Sequence, residues 1–227
     1  MKTVHVLVSR FDPSKGKHEA RYEVAPGARV SILDLLRMIV EGPDPTLSFR
    51  SSCRVGMCGT CAVVVDGREA LACQTPAPPP GHTVRVGPLR NVPVIKDLVV
   101  DTTPFFDRYR RVDPAGSGSA GGQPGGPETS GDCITCGACL SACTMSAVNE
   151  GFVGPAALFR GLRLVEEATG VEAETRLRGL ATSDGIYGCR GHLDCLTVCP
   201  KDLALPQAIS RLKRMAARRV FGLRVGP

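Results

Sequence analysis

Apolar and polar residues alternate along two stretches near the start of the chain, Val4–Val8 and Ala20–Val24. Because successive side chains of a strand point to opposite faces, this period of two predicts two half-buried strands. The polar stretch Asp12–Lys17 lies between them and predicts a turn, so we expect the two strands to form a hairpin.

A helical period replaces the alternation at residue 31. Ser31 and Asp34 have the spacing of a capping box, and Gly42 and Pro43 supply a stop signal. The apolar residues in between recur at helical spacing: Ile32, Leu35, Leu36 and Ile39. The pattern therefore predicts one amphipathic helix between residues 31 and 42.

Three more short strands are predicted before residue 90. Ala62–Val65 and Glu69–Cys73 are separated by Asp66 and Gly67, a dipeptide that strongly favours a two-residue hairpin turn. Thr83–Val86 is the last strand of this part. Two hairpins, one helix and a cysteine-rich loop resemble the β-grasp fold of plant-type ferredoxins.

Residues 131–227 are predicted to be mainly helical. Pro155–Leu164 and Leu164–Leu177 contain apolar residues at helical spacing, and Pro206 suits the first turn of a final helix. One face of that helix is apolar: Leu205, Ile209, Leu212, Ala216 and Val220. The fold class is therefore α+β, with an N-terminal β-grasp domain followed by a mainly α-helical domain that is similar to bacterial ferredoxins.

The composition changes sharply between these two parts. Residues 91–113 form a connector with a short amphipathic piece, in which Phe105 and Phe106 are expected to pack. Residues 114–130 contain six Gly, three Pro and three Ser, which predicts a flexible linker. We therefore expect a first domain with its connector over 1–113, a linker over 114–130 and a second domain over 131–227.

The chain has eleven cysteines in two kinds of run. Those at 53, 58, 61 and 73 have the C-x4-C-x2-C…C spacing of plant-type [2Fe–2S] sites. Gly56 and Gly59 lie inside this loop, where backbone amides must turn inward toward sulfur, and Gly accepts that backbone at no steric cost. The spacing predicts a [2Fe–2S] cluster held by Cys53, Cys58, Cys61 and Cys73.

The second run begins at Cys133 and has the C-x2-C-x2-C-x3-C spacing of bacterial ferredoxins, and a similar run ends at Cys199 followed by Pro200. In such pairs the last cysteine of each run ligates the other cluster. This rule predicts a [4Fe–4S] cluster held by Cys133, Cys136, Cys139 and Cys199. Three thiolates then remain for a [3Fe–4S] cluster: Cys143, Cys189 and Cys195.

His192 occupies the position of a missing cysteine in the last run. Two interpretations stay open: a fourth ligand, which would give a second [4Fe–4S] cluster, or a residue that lines the open corner of a [3Fe–4S] cluster. Structural zinc is disfavoured because four cysteines lie within Cys133–Cys143, too closely packed for separated ligand pairs. A disulfide framework is disfavoured by the odd number of cysteines.

The formal charge of +6 is local. Residues 200–227 carry seven Lys and Arg against one Asp, and the remainder of the chain is balanced. The basic face of the last helix is either a solvated face or a surface for an anionic membrane or an acidic partner. Because cluster thiolates add negative charge, we do not expect a nucleic-acid partner.

Together the three cysteine motifs closely resemble the iron–sulfur subunit of succinate dehydrogenase and fumarate reductase. The stretches Asn91–Asp101 and Phe152–Ala157 resemble the same family, and the likeness covers nearly the whole chain apart from the linker. The resemblance implies a relay without a catalytic residue of its own. It would pass single electrons through [2Fe–2S], [4Fe–4S] and [3Fe–4S] clusters, between an FAD flavoprotein subunit and a quinone at a membrane anchor.

The chain departs from the family at the predicted quinone end. Thr144 follows Cys143 where the family usually has Pro, Arg190 follows Cys189 where His is frequent, and the chain has no Trp. An alternative is therefore a soluble flavoprotein oxidoreductase with a non-quinone carrier. The chain shows no apolar run of membrane-spanning length and no export signal. We thus expect a cytoplasmic protein, peripheral on the inner membrane through its partner subunits.

Overall fold

The computed structural model describes residues 3–14, 16–113, 133–220 and 222, so the predicted linker 114–130 lies outside the described residues. The strands are β1 Val4–Asp12, β2 Gly16–Val24, β3 Ala62–Val65, β4 Arg68–Leu71, β5 Thr83–Gly87, β6 Val94–Lys96 and β7 Val99–Val100. The helices are α1 Ile32–Glu41, α2 Thr103–Val112, α3 Ala138–Ala142, α4 Thr144–Val148, α5 Pro155–Glu167, α6 Gly170–Leu180, α7 Asp194–Thr197 and α8 Leu205–Arg219.

The contacts divide the chain into two compact units, and neither is continuous in sequence. The first contains Met1–Thr102 and Ile134–Ser141, and the second contains Thr103–Cys133 and Ala142–Pro227. The start of the second cysteine run therefore belongs to the first unit. The domain boundaries that the sequence suggests, 1–113 and 131–227, stay a prediction.

The first unit is built on a five-stranded sheet with the order β2-β1-β5-β3-β4. β1 and β5 are parallel, and the remaining neighbours are antiparallel. Helix α1 contributes Ile32, Leu35, Leu36 and Ile39 to the buried core, together with inward residues of the strands. The predicted alternation is confirmed, because Val4, Val6 and Val8 are completely buried. A mixed sheet covered by one helix is the β-grasp architecture that the sequence predicts.

Helix α1 begins and ends where the sequence predicts. The Ser31 side chain accepts a hydrogen bond from the Asp34 amide, and the Asp34 carboxylate accepts one from the Ser31 amide. The Ser31 amide and the Ser31 hydroxyl both donate to the Asp34 carboxylate, and these hydrogen bonds lower its pKa from the usual range. Gly42 ends the helix. The helix entry is thus fixed by local chemistry before any contact with the sheet is considered.

A buried polar network holds the chain just before the cysteine-rich loop. The Arg10 guanidinium donates to Asp97 (2.8 Å), Tyr22 (2.6 Å) and Asp44. Asp97, completely buried, also accepts the Ser48 amide at 2.9 Å. Because every charge in the network has a partner, the network can stay buried and still anchor the loop.

The connector has more structure than the sequence suggests. Strands β6 and β7 form a two-stranded sheet, and α2 follows directly.

Strand β4 is shorter than the sequence predicts. It ends at Leu71 and not at Cys73, because the Gln74 and Thr75 amides both donate back to the Leu71 carbonyl. This turn carries Cys73 out of the strand ladder.

The second unit is helical, as predicted. Helices α5, α6 and α8 pack together around buried apolar residues: Phe152, Leu158, Leu162, Leu177, Ile186, Leu205, Ile209 and Leu212. Helix α8 has Pro near its start and buries the predicted apolar face up to Ala216. Among the described residues, no helix combines the length and the apolar character that crossing a membrane requires.

Candidate iron–sulfur sites

The first candidate site lies in the loop between α1 and β3. Cys53 and Cys58 are partly exposed in this loop, Cys61 is buried directly before β3, and Cys73 lies in the turn after β4. The β3–β4 hairpin pairs Ala62 with Leu71 and thereby brings the last two cysteines together.

The backbone of this loop turns repeatedly into the left-handed region. Arg54, Gly56 and Gly59 have φ values of 60°, 73° and 69°. The amides of Met57 and Cys58 both point to the Cys53 sulfur, with N···S distances of 3.3 Å. Successive amides that converge in this way form a concave site for negative charge. The prediction that glycines let the amides turn inward agrees with this geometry.

The thiols of this site differ strongly in acidity. Hydrogen bonds from Thr60 and from the backbone lower the pKa of Cys58 to about 6. Burial raises the pKa of Cys61 to about 11, and the neighbouring Cys73 and Cys58 sulfurs contribute to the rise. Cys58 and Cys73 therefore lie near Cys61, and the Met57 and Cys58 amides hold Cys53 in the same loop. Four sulfurs beside inward amides fit a [2Fe–2S] cluster, whose sulfides accept such hydrogen bonds.

The loop before α3, which leads to Cys136 and Cys139, has a similar backbone and lies in the same unit. Thr135 and Gly137 have positive φ values of 51° and 80°. Ile134 and Cys136 pack against the first unit's core. A Cβ atom added to Gly59 would lie 2.7 Å from the Cys136 Cβ. The two cysteine-bearing loops are therefore in direct backbone contact at Gly59.

The two other cysteines of the predicted [4Fe–4S] set belong to the second unit. The Tyr109 hydroxyl on α2 donates to the Cys133 sulfur at 3.6 Å. The Leu203 amide donates to the Cys199 sulfur at 3.5 Å. Each sulfur thus has a hydrogen-bond donor within its own unit, as cluster ligands require.

The three remaining cysteines lie together in the second unit. Cys143 is the N-cap of α4, and Cys195 is buried in α7. Burial raises the pKa of Cys195 to about 12, with further contributions from Cys143 and Cys189. The Lys213 ammonium donates to the Cys189 carbonyl at 2.8 Å. Three thiols and a nearby cation fit a cluster with three cysteine ligands.

Thr144, where the family usually has Pro, links the two cysteine runs. Its amide and hydroxyl donate to the Asp194 carboxylate at 3.3 Å and 2.8 Å. Thr144 follows Cys143 and Asp194 precedes Cys195, so the bridge holds two predicted ligands of one cluster. Because Pro has no amide hydrogen, the chain gains a contact here that the family's usual residue cannot make.

His192 is exposed in the loop before α7. Leu193 follows with a left-handed φ of 65°. In the part of the chain that the structure describes, no three His, Cys, Asp or Glu side chains are arranged as around a single metal ion. The role of His192 stays a prediction.

Sequence reasoning missed three side chains that donate hydrogen bonds to the cysteines. Tyr109 donates to the Cys133 sulfur, the Gln74 side-chain amide lies 3.7 Å from the Cys73 sulfur, and Lys213 donates to the Cys189 carbonyl. Only Gln74 carries a sequence signal, since it directly follows a cysteine. The other two reach their cysteines from separate helices, and such contacts arise from tertiary packing.

The fold and the sites define an iron–sulfur protein that combines a plant-type and a bacterial-type ferredoxin part. Residues 5–107 match the 2Fe-2S iron–sulfur cluster binding domain, and residues 129–203 match the 4Fe-4S dicluster domain. The predicted [2Fe–2S] and [4Fe–4S] clusters are therefore supported, and the predicted α+β fold class is confirmed.

Curated relatives narrow the class to one family. The mitochondrial succinate dehydrogenase iron–sulfur subunit 1 of Oryza sativa is 34% identical, covering 92% of this chain and 80% of the relative. The fumarate reductase iron–sulfur subunit of Mycobacterium tuberculosis is 36% identical, covering 96% and 94%. A chain of the Mycobacterium smegmatis Sdh1 complex superposes with a TM-score of 0.78 at 25% identity, covering 96% of this chain and 97% of that chain.

This chain belongs to the family of iron–sulfur subunits of succinate dehydrogenase and fumarate reductase. The predicted family and the electron-transfer role are confirmed: the chain is a relay subunit of an enzyme complex. The alternative, a soluble oxidoreductase with another carrier, is not favoured by these relatives.

Proposed function

We propose that the eleven cysteines hold three clusters in the sets that their spacing predicts. Cys53, Cys58, Cys61 and Cys73 hold a [2Fe–2S] cluster, and Cys133, Cys136, Cys139 and Cys199 hold a [4Fe–4S] cluster. Cys143, Cys189 and Cys195 hold a [3Fe–4S] cluster. The clusters supply one-electron chemistry, and the chain's own residues position them and tune their reduction potentials.

The observation that carries this relay is the contact at Gly59. The loop of the first predicted cluster touches the backbone at Cys136, a predicted ligand of the second. Electron transfer between centres slows steeply with distance, so a relay needs such contacts between successive ligand loops. The proposed order is [2Fe–2S], [4Fe–4S] and then [3Fe–4S].

The hydrogen-bond donors at the sulfurs would set the potentials. Donors stabilise the more negative, reduced form of a centre and so raise its reduction potential. Met57 and Cys58 amides do this at Cys53, the Tyr109 hydroxyl does it at Cys133, and Lys213 adds a positive charge beside Cys189.

The exposed apolar residues beside the cysteines support two partner surfaces. Val55 and Met57, in the [2Fe–2S] loop, are 65% and 62% exposed. We assign this surface to an FAD-containing flavoprotein subunit. In the second unit, Val148, Leu193 and Leu196 are exposed near the [3Fe–4S] cysteines, and we assign them to a membrane anchor that binds quinone. The complex would then lie on the cytoplasmic face of the inner membrane.

The test is an iron assay combined with EPR spectroscopy of the iron-loaded chain, first oxidised and then reduced stepwise. We expect about nine irons per chain, a [3Fe–4S] signal in the oxidised state, and two further signals on reduction. His192→Ala should change neither the iron count nor the spectra. About ten irons without the oxidised signal, with one iron lost in His192→Ala, would replace the [3Fe–4S] assignment by a second [4Fe–4S] cluster.

A further inference from the structure

Helix α3, which carries Cys139, is held by a buried carboxylate on strand β4. Glu69 is 1% exposed, and its Oε1 accepts hydrogen bonds from Arg90 Nε (2.9 Å), Arg90 Nη2 (2.6 Å) and the Ser141 hydroxyl (2.7 Å). Its second oxygen is buried without a hydrogen-bond partner among the described residues. A carboxylate left half-satisfied costs free energy, so stability alone does not account for it.

Arg90 and Asn91 contribute a second set of contacts to the same helix. The Arg90 amide donates to the Ser141 hydroxyl at 2.7 Å. The Asn91 side-chain amide donates to the Leu140 and Ser141 carbonyls at 3.0 Å and 2.9 Å. Carbonyls at a helix C-terminus lack partners within the helix, and Asn91 supplies them. Its φ of 61° lies in the left-handed region, which Asn tolerates better than most residues.

The first residues of this segment meet the [2Fe–2S] loop. Residues 134–141, called here the docked segment, contact Gly59 through Cys136 and the Ile134 carbonyl. A Cβ atom on Gly137 would lie 3.4 Å from Leu89. The docked segment is thus held by a tight contact with Gly59 near its start and by directional hydrogen bonds near its end. Such an arrangement defines its position more sharply than apolar packing alone would.

We propose that Glu69, together with Arg90 and Asn91, is a positioning group that fixes the distance between the [2Fe–2S] loop and the docked segment. The proposal rests on the ligand sets of the proposed function. The hydrogen bonds of Glu69, Arg90 and Asn91 given above reach Leu140 and Ser141 of the docked segment. They act through Ser141 and the end of α3 on the place of Cys136 and Cys139, and so on the rate of electron transfer between two centres.

The first experiment compares four single variants of the full, iron-loaded chain with one control variant. Ser141→Ala removes the hydroxyl that joins Glu69 to Arg90, and Asn91→Gly removes the cap but keeps the left-handed backbone. Glu69→Leu removes the carboxylate, whereas Glu69→Gln keeps one oxygen that can accept from Arg90 and Ser141. Ser146→Ala is the matched control, because Ser146 is also a buried helical serine and its hydroxyl has no partner among the described residues.

There are two readouts. The first is hydrogen exchange of the peptide that covers the docked segment. The second is the magnetic interaction, seen by EPR, between the reduced [2Fe–2S] and [4Fe–4S] clusters. Ser141→Ala, Asn91→Gly and Glu69→Leu should each speed exchange about tenfold and weaken the interaction. Glu69→Gln should restore most of both, and Ser146→Ala should change neither. If Ser141→Ala and Asn91→Gly match the native chain in both readouts, the proposal is overturned, even if Glu69→Leu does not fold.

Failure of the proposed function gives a different result. If the native chain shows no EPR signals of a reduced [2Fe–2S] and a reduced [4Fe–4S] cluster, the ligand sets are overturned, regardless of the results for the variants. A native chain with interacting clusters and unchanged variants would overturn only the role of Glu69. The exchange measurement decides the positioning role in both cases, because it does not depend on the magnetic signals.

Discussion

The two units support their cysteines in different ways. The first unit has a complete sheet, a capped helix and the buried network around Arg10 and Asp97, and its [2Fe–2S] loop adjoins that core. In the second unit, two of the three cysteines at the last site lie at α4 and α7, helices of five and four residues without side-chain caps of their own. Helices this short are not stable alone. The first site is therefore shaped by the protein, whereas we expect the last to depend on the iron that its thiols are proposed to bind.

Removal of iron should expose this difference most strongly. When a chelator strips the clusters, we expect hydrogen exchange of residues 189–199 to approach the rate of unstructured peptide, because metal binding there is coupled to local folding. Strands β1 and β5 should keep their protection, since their core is built mainly from apolar side chains of the sheet and of α1. Equal loss in both units would show that the first unit also needs iron to fold.

A substitution at Gly59 tests how tightly the first unit's loop is built. Gly59→Ala places a methyl group 2.7 Å from the Cys136 Cβ on a residue with positive φ. Gly67→Ala is the matched control, because Gly67 also has positive φ (85°) but no atom within 4 Å of the added Cβ. We expect Gly67→Ala to cost about 1–2 kcal/mol of the first unit's unfolding free energy and Gly59→Ala clearly more. Urea titration followed by circular dichroism measures both.

Should the two variants be equally destabilised, the contact between the loops would be looser than the structure indicates. The backbone strain is common to both, so only the excess at Gly59 reports on the contact with Cys136.

The smallest expected effect concerns a single hydroxyl in the second unit. Tyr109→Phe keeps the ring, which stacks near Phe105 at 5.4 Å between centroids, and removes the donor to Cys133. One hydrogen bond of about 0.5–1.5 kcal/mol corresponds to roughly 20–60 mV in a one-electron potential. We expect the [4Fe–4S] potential to fall by this amount in an EPR-monitored redox titration. The [2Fe–2S] potential is the internal control, and a shift of both would argue against a local effect.

The parts of the structure that the sequence predicts are those with local causes. The alternation at Val4–Val8, the Ser31 cap and the cysteine spacing each concern residues close in sequence, and the first two are confirmed. The hairpin of β6 and β7 was missed because its strands have only three and two residues, too few to show a period.

The contacts around Glu69 could not be predicted from the chain. Glu69 and Ser141 are 72 positions apart, and nothing in either local pattern refers to the other. The same holds for Tyr109, whose sequence pattern indicates only a short amphipathic piece. Spacing predicts which residues bind iron, but the donors that tune a site come from the packing of separate elements.

The division of the chain has a consequence for biosynthesis. A ribosome completes residues 1–102 well before it adds 134–141. The first unit therefore cannot finish folding until residues 134–141 have been synthesised. Until then Leu89 and Glu69 lack their cover from the second cysteine run. A ferredoxin domain excised by cutting the chain at residues 114–130 would have the same defect. The first unit becomes whole only when the cell has begun to make the second iron site.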